Sequence, residues 1–463
     1  MSSPVSIMSE ILMPPLSAAT GNGRLVKWLV AEGDEVRAGD VIAEIMTDVA
    51  TMEIEAVADG RIARILVAAG TDGVKVDTPI ALITAAVITT VKEGASQAVP
   101  MPTVSQDQHR VEKAESWRLE PALQPANLAR KTVGAAAMQT MRDALRDAIG
   151  EEMRRDGDVF VLGEVVGVAG GAHNVCAGLL DEFGPRRVID APAAGQGIIA
   201  VAIGSAFAGL KPIVEFTSWN LAMQAIDQIV NTAAKTLYMS GGEIAVPIVI
   251  RGANGLSSRA GAQHSQCFSA WYAHVPGMKV VAPSNPADAK GLLKAAIRDP
   301  DPVLVLESEM LYGASGPVPE GDEAMVAIGK ARIARQGRDA TIVTYARGVV
   351  HAMAAAERLA SEGIEAEVVD LRTLRPLDVA TVLASVRKTH RLVTVEEAWP
   401  VCSVGSEICA RVAIDAFGAL DAPPVKVAGA DVPMPYAANL ETLALPDAES
   451  VAAAVREVCH GQH

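Results

Sequence analysis

Aromatic residues are scarce, at 3% of 463 residues, so the cores must close by interdigitation of small aliphatic side chains rather than by ring stacking. Half of the chain is nevertheless hydrophobic, with Ala, Gly and Val abundant, which excludes a disordered chain and suits close helix-on-sheet packing. Positive charge is also in short supply. Lys and Arg number 40 against 55 Asp and Glu, a formal net charge of -15; with no basic face to neutralise phosphates, nucleic acid is not expected as a partner. The five cysteines (Cys176, Cys267, Cys402, Cys409, Cys459) are odd in number, scattered and never in a CxxC spacing. Neither a disulfide framework nor a zinc site is suggested, and a reducing cytoplasmic setting is expected. No apolar run reaches the ~18 residues of a membrane span, and the opening MSSPVSIMSEILMPP has neither a basic region before an apolar core nor an Arg-rich transit pattern.

The length predicts about three domains. Residues 23–45, GRLVKWLVAEGDEVRAGDVIAEI, recur in residues 60–83, GRIARILVAAGTDGVKVDTPIALI, with one residue inserted. Each copy alternates apolar residues around a Gly-punctuated turn, which predicts a small all-β flattened barrel over residues 5–88, its halves joined by a hairpin at 47–51. Residues 89–137 are rich in Pro, Ala, Gln and Ser without apolar periodicity and are expected to form an extended linker. Over 138–156 the residues Met141, Leu145, Ala148, Ile149 and Met153 fall on one helical stripe. Apolar runs then alternate with helical segments, predicting an α/β domain with a parallel sheet over 138–318 and a second, separate α/β domain over 332–460.

The chain is organised around residues 188–210, VIDAPAAGQGIIAVAIGSAFAGL. A short apolar run stops at Asp190, a Pro/Gly-rich loop follows, and a small-residue helix begins. Ligands in open α/β sheets bind outside the carboxyl ends of strands, so this loop is where a cofactor is expected.

Together with VFVLGEVVG (159–167), KPIVEFTSWNLAMQAIDQIVNTAAKTLYMSGG (211–242) and RGANGLSSRAGAQHSQ (251–266), this stretch resembles the β subunit of the thiamine-diphosphate-dependent decarboxylating component of 2-oxo-acid dehydrogenase complexes, best the pyruvate branch. The resemblance covers roughly residues 138–460 and implies a pyrimidine-binding-type domain followed by a transketolase-type C-terminal domain. It implies thiamine diphosphate as cofactor, with Glu164 at the cofactor and His264 along the channel toward the lipoyl arm. It further implies a potassium ion held at Ile248, Ala296, Ile297, Asp299 and Asp301, although AIRDPDP is equally an ordinary helix stop. The GDG pattern that anchors the magnesium diphosphate end is missing here. The family's α subunit supplies it, so an α2β2 partner is implied, together with pyruvate as substrate and a dihydrolipoamide acyltransferase core. The N-terminal repeat resembles a lipoyl domain.

The departures from these families fall on chemistry. Where the lipoyl family carries its acylated lysine, this chain has Val49, so lipoate is not expected; Lys27 and Lys75 do not sit at that tip. Where the β-subunit family has a glutamate contacting the aminopyrimidine ring, the loop APAAGQG has Gly195. That acid favours the cofactor's imino tautomer, and such acid–base assistance is worth roughly 10²–10⁴-fold. The aromatic neighbour of the ring is replaced by Leu221. Three readings follow: a β subunit with impaired activity, a noncatalytic paralogue acting as a structural or regulatory subunit, and, more distantly, a transketolase-like enzyme.

Overall fold

The computed structural model describes residues 7–13, 22–37, 40–46, 51–56, 59–75, 78–85 and 136–460. The hairpin tip with Val49 and nearly all of the linker lie outside the described residues. The chain divides into two units, Met1–Ala122 and Leu123–His463.

The first unit contains β1 (Ile7–Leu12), β2 (Asn22–Trp28), β3 (Glu35–Val36), β4 (Val41–Met46), β5 (Thr51–Glu55), β6 (Gly60–Ile65), β7 (Val74–Lys75) and β8 (Pro79–Ala85). They form two four-stranded antiparallel sheets, β1-β8-β6-β3 and β5-β4-β2-β7. The repeat seen in the sequence is a structural one. Each copy pairs its own long strands and lends its short strand to the other copy's sheet. Leu25, Ile42 and Ile45 of the first copy meet Ile62, Ile80 and Ile83 of the second in one core. The expected flattened barrel is not closed among the described residues, because no pairing joins one sheet to the other; side-chain burial holds them face to face. Lys27 is paired with Glu44 at 2.8 Å.

The second unit begins with β9 (Ala137–Thr140), where helix had been expected, and then helix Met141–Arg155, capped by the Thr140 hydroxyl, which accepts from the Asp143 amide at 3.1 Å. Its predicted stripe is the buried face. The strands β10 (Val159–Gly163), β11 (Val188–Asp190), β12 (Lys211–Ser218), β13 (Val249–Ala253), β14 (Lys279–Val281) and β15 (Val303–Glu307) assemble in the order β11-β10-β12-β13-β15-β14. All run parallel, and β10, β13 and β15 are buried throughout, as strands covered on both faces must be. β16 (Ser315–Val318) returns to pair with β9.

A five-stranded sheet follows, in the order β17-β19-β18-β21-β22, from β17 (Arg332–Arg335), β18 (Ala340–Thr344), β19 (Ala366–Asp370), β21 (Leu392–Val395) and β22 (Val425–Val427). Between β19 and β21 the short β20 (Thr373–Arg375) crosses over to pair antiparallel with β14. Val343, Val369, Leu371 and Val404 share one hydrophobic cluster with Leu162, Phe216 and Ile250. The second α/β block therefore has its own sheet, one face of which closes a core of its own around Ile342, Leu359, Val368, Val393 and Val455, while the other face shares a core with the first block.

Candidate active site

Four strands end side by side. Gly163 of β10 lies opposite Asp190 of β11 and Glu215 of β12, and Glu215 lies opposite Arg251 of β13. Segments leaving these carboxyl ends emerge on one rim, and they carry Glu164, Gly195, Leu221 and His264.

Gly195 opens the helix Gly195–Phe207, whose N-cap is Ala194; no side chain caps it and no acid lies in its first turn. Its leading N–H groups thus keep partial positive charge at the rim without a side-chain acceptor. A Cβ on Gly195 would meet Phe216 Cε1 at 3.3 Å and the Leu221 carbonyl oxygen at 3.6 Å. These are close but tolerable contacts. The position can house a side chain, so the glycine is not imposed by lack of space.

Glu164 is the first residue past β10 and half-buried. The next residue, Val165, has φ 50°, a conformation that a β-branched residue keeps only under the compulsion of its surroundings. That compulsion comes from two carboxylates. Asp190 accepts from the amides of Gly167 at 2.6 Å and Val168 at 3.1 Å. Glu215 accepts from the Ala172 amide at 3.3 Å and the Cys176 thiol at 3.2 Å. At Gly171, φ +81°, a Cβ would lie 2.1 Å from Glu215 Oε1, so the loop reaches its anchor only with glycine there.

Beneath the rim, Arg251 is 1% exposed and lies between Glu215 and Glu307. Its Nε and Nη2 donate to Glu307 at 2.7 and 2.5 Å, Nη1 donates to Glu215, and Tyr312 adds its hydroxyl to Glu307 at 2.6 Å. Burial opposes the guanidinium charge, but the two carboxylates outweigh it and hold Arg251 well above its ordinary pKa. Burial, reinforced by the Glu215 charge, pushes the Cys176 thiol well up, so it is an inert donor to the loop anchor rather than a thiolate.

His264 is exposed on the loop that follows β13. The neck of that loop is closed where Ser265 Oγ donates to the Ser257 carbonyl at 3.0 Å and the Gln266 amide donates to Asn220 Oδ1 at 3.2 Å. Asn220 immediately precedes Leu221, so the histidine loop is tied to the wall of the Gly195 position.

The residues matched to a potassium site lie at the opposite edge. Ile248 precedes β13, Ala296 and Ile297 end the helix Pro286–Arg298, and Asp299 and Asp301 lead into β15. Lys279 donates to both Asp299 carboxylate oxygens at 2.7 Å and pairs with Asp301 at 3.0 Å. Burial pulls the Lys279 pKa down, but these carboxylates outweigh it and raise it. The Ile248 and Ala296 carbonyls accept the amides of Val303 at 2.9 Å and Asp299 at 3.2 Å, respectively. The structure thus brings these five residues to one edge but away from the rim. Among the described residues no group of three or more His, Cys, Asp or Glu could hold a metal ion.

Sequence reasoning missed Phe216, whose ring rather than the Leu221 side chain comes first against a Gly195 Cβ. Its signal was its place as the last apolar residue of the run PIVEF. It also missed Asn220, which lies far from His264 in the chain and acquires its role only through folding. The buried charges of Glu215, Arg251 and Glu307 were visible as charged residues within or closing three largely apolar strands.

Residues 137–315 match the family profile of the transketolase pyrimidine binding domain, residues 329–451 that of the transketolase C-terminal domain, and residues 9–83 that of the biotin-requiring enzyme domain. The fold is accordingly that of the transketolase-type thiamine enzymes behind a biotin/lipoyl-type domain. The chain is 54% identical to the pyruvate dehydrogenase E1 component subunit beta of Rhizobium meliloti over 456 residues, covering 97% of this chain and 99% of that one. It is 56% identical over 337 residues to the beta-1 subunit of Arabidopsis thaliana, covering 72% of this chain and 92% of that one. The human beta subunit is 51% identical over 330 residues, covering 70% and 92%. This chain belongs to the family of pyruvate dehydrogenase E1 component β subunits. A split-gene transketolase described as an inactive beta4 tetramer superposes with a TM-score of 0.56 at 24% identity, over 70% of this chain and 99% of that one, which is a likeness of fold alone. No helix among the described residues is long and apolar enough to cross a membrane.

Proposed function

We propose that this chain is the β subunit of a thiamine-diphosphate-dependent pyruvate dehydrogenase component, cytoplasmic, with impaired activity. One observation carries the reading: Glu164, Gly195, Leu221 and His264 come from four separate segments and meet on one rim, where Gly195 is buried beside Phe216 without an acid. Bound there, the cofactor supplies the carbanion chemistry of decarboxylation. Glu164 contributes a carboxylate beside it, Phe216 and Leu221 shape the aminopyrimidine wall, and His264 lies on the path to the lipoyl acceptor. An α subunit supplies the magnesium diphosphate site in an α2β2 assembly, and a dihydrolipoamide acyltransferase core takes the acetyl group. Backbone carbonyls of Ile248, Ala296, Ile297, Asp299 and Asp301 suit a structural potassium ion at the opposite edge, since one hydrogen bond leaves a carbonyl a second lone pair. Residues 5–88, 89–137, 138–318 and 332–460 form the lipoyl-like domain, linker, pyrimidine-type domain and C-terminal domain, the first carrying no lipoate because Val49 has no amine.

The noncatalytic reading is favoured by the same Gly195. Assembled with the α partner, the wild type is expected to decarboxylate pyruvate at least about a hundredfold more slowly than a member carrying the glutamate, and Gly195→Glu is expected to raise the rate. Proton–deuterium exchange at the thiazolium carbon decides between causes. Exchange in the wild type as fast as in a glutamate-bearing enzyme would show that another group has taken over activation.

A further inference from the structure

The loop that carries His264 is held at both ends, and the second hold comes from the far side of the chain. Its neck is fastened by Ser257, Ser265 and Asn220. At its tip the backbone turns left-handed: Arg259 has φ 56°, strained for a residue with a side chain, and Gly261 has φ +75°, which glycine adopts freely. The Arg259 amide donates to Glu441 Oε2 at 2.9 Å. A Cβ on Gly261 would lie 3.7 Å from Tyr436 Cδ2 and 3.9 Å from its Cβ, so the side chain of Tyr436 spans the tip at contact distance.

Glu441 lies in the short helix Ala438–Leu443. That segment is itself fastened to the end of β21. The Gly429 amide donates to the Ala398 carbonyl at 2.9 Å, the Ala430 amide to the Ala444 carbonyl at 2.9 Å, and the Trp399 indole to the Val432 carbonyl at 2.8 Å. A non-glycine residue at positive φ persists only when its surroundings over-determine it. A carboxylate acceptor on its amide is a stronger hold than a neutral one.

We propose that the turn bearing Tyr436 and Glu441 is a clamp that sets the loop of His264, with Glu441 a positioning residue acting through the Arg259 amide. Without that acceptor Arg259 relaxes toward negative φ, and the segment leading to His264 changes course. The C-terminal block thereby contributes to the rim without placing any side chain on the cofactor. The link from the clamp to acetyl transfer rests on the functional reading above; the clamp itself does not.

The test uses the full-length chain and the variants Glu441→Leu and Glu441→Gln. Modification of His264 by diethyl pyrocarbonate and trypsin cleavage after Arg259 are followed by mass spectrometry. Glu441→Leu is expected to speed cleavage after Arg259 by about tenfold and to leave modification of His264, exposed already, within about threefold, while Glu441→Gln, whose amide oxygen still accepts, stays within about threefold of the wild type in cleavage. Hydrogen exchange of peptides from β10 and β13 remains unchanged. A cleavage rate for Glu441→Leu indistinguishable from the wild type would overturn the clamp. If that variant does not fold, hydrogen exchange of the Arg259 amide in the wild type decides, since its acceptor is Glu441: protection supports the clamp, and exchange at the rate of an unstructured peptide overturns it. The functional reading fails separately, if His264→Ala in the assembled protein leaves acetyl transfer to a lipoyl domain unaltered.

Discussion

The two edges of the seven-stranded sheet are made from the same strands and are built on opposite rules. At the amino edge, strands are entered by cations that are already satisfied. Arg187, before β11, donates to the carbonyls of Met153, Asp156 and Val159, at 2.9 Å to the first two. Lys211, opening β12, donates to Asp156 at 2.7 Å, and Lys279, opening β14, is held by Asp299 and Asp301. Between the helices above this edge, Glu152 receives Arg298 at 2.6 and 2.8 Å and Arg155 at 2.8 Å. At the carboxyl rim the backbone is strained at Val165 and Arg259, a buried helix start is uncapped, and a histidine is exposed. One edge has spent its charges on folding; the other keeps groups that folding does not require. The side chain at position 195 could therefore change while helices, sheets and caps stayed intact.

The sharpest way to break this contrast is to remove the buried cation that underlies the rim. Arg251→Met leaves Glu215 and Glu307 facing one another without a countercharge, an expected loss of about 3–5 kcal/mol, read by urea unfolding. A loss below about 1 kcal/mol would mean that the carboxylates take up a proton at little expense.

At the amino edge the expected effect is smaller and depends on pH. Burial alone would raise the Glu152 pKa, but the hydrogen bonds from Arg298 and Arg155 outweigh it and hold it below the usual 4.5. Glu151 is likewise lowered, burial being outweighed by Lys290 and Lys294. A depressed carboxyl pKa gives stability that is present above the unfolded value and lost as pH falls through the folded one. The unfolding temperature should therefore drop below about pH 4.5. Glu152→Gln should cost about 1–2 kcal/mol at neutral pH and flatten that drop, whereas an unchanged pH profile would assign the acid limb to other groups.

The smallest expected change in stability is at Gly195, although its effect on rate is the largest. Gly195→Glu removes a helical glycine and places a carboxylate at a helix N-terminus, each favourable by roughly 0.3–1 kcal/mol. Burial of the acid and the tight Phe216 contact oppose this. A net change within about 1 kcal/mol is expected by differential scanning calorimetry. A larger loss would show that the rim, too, is committed to folding.

Periodicity and chain order alone determined much of this protein. Met141, Leu145, Ala148, Ile149 and Met153 could be placed on a buried face because a helix repeats every 3.6 residues whatever packs against it. The parallel sheet followed from alternation, and the paired sheets of the first unit followed from the repeat. The absence of an acid at Gly195 and of an amine at Val49 is likewise legible without coordinates.

Tertiary structure decided what depends on neighbours remote in sequence. Residues 219–239 break into helix, 3₁₀ turn, a π-helical stretch at Gln228–Ala233 and helix again. AMQAIDQIVNTAAK mixes strong helix formers with the weaker Ile, Val, Asn and Thr, and the π-helical stretch falls on these weaker residues, where packing selects the break. β20 deserts its own block for the edge of the first sheet because an unpaired strand edge is satisfied by whichever backbone reaches it. The same reason separates Phe216 from the sequence-level expectation about Leu221, and Glu441 from the loop of His264. Hydrogen bonds and ring contacts follow distance in space, which folding sets after the chain has been written.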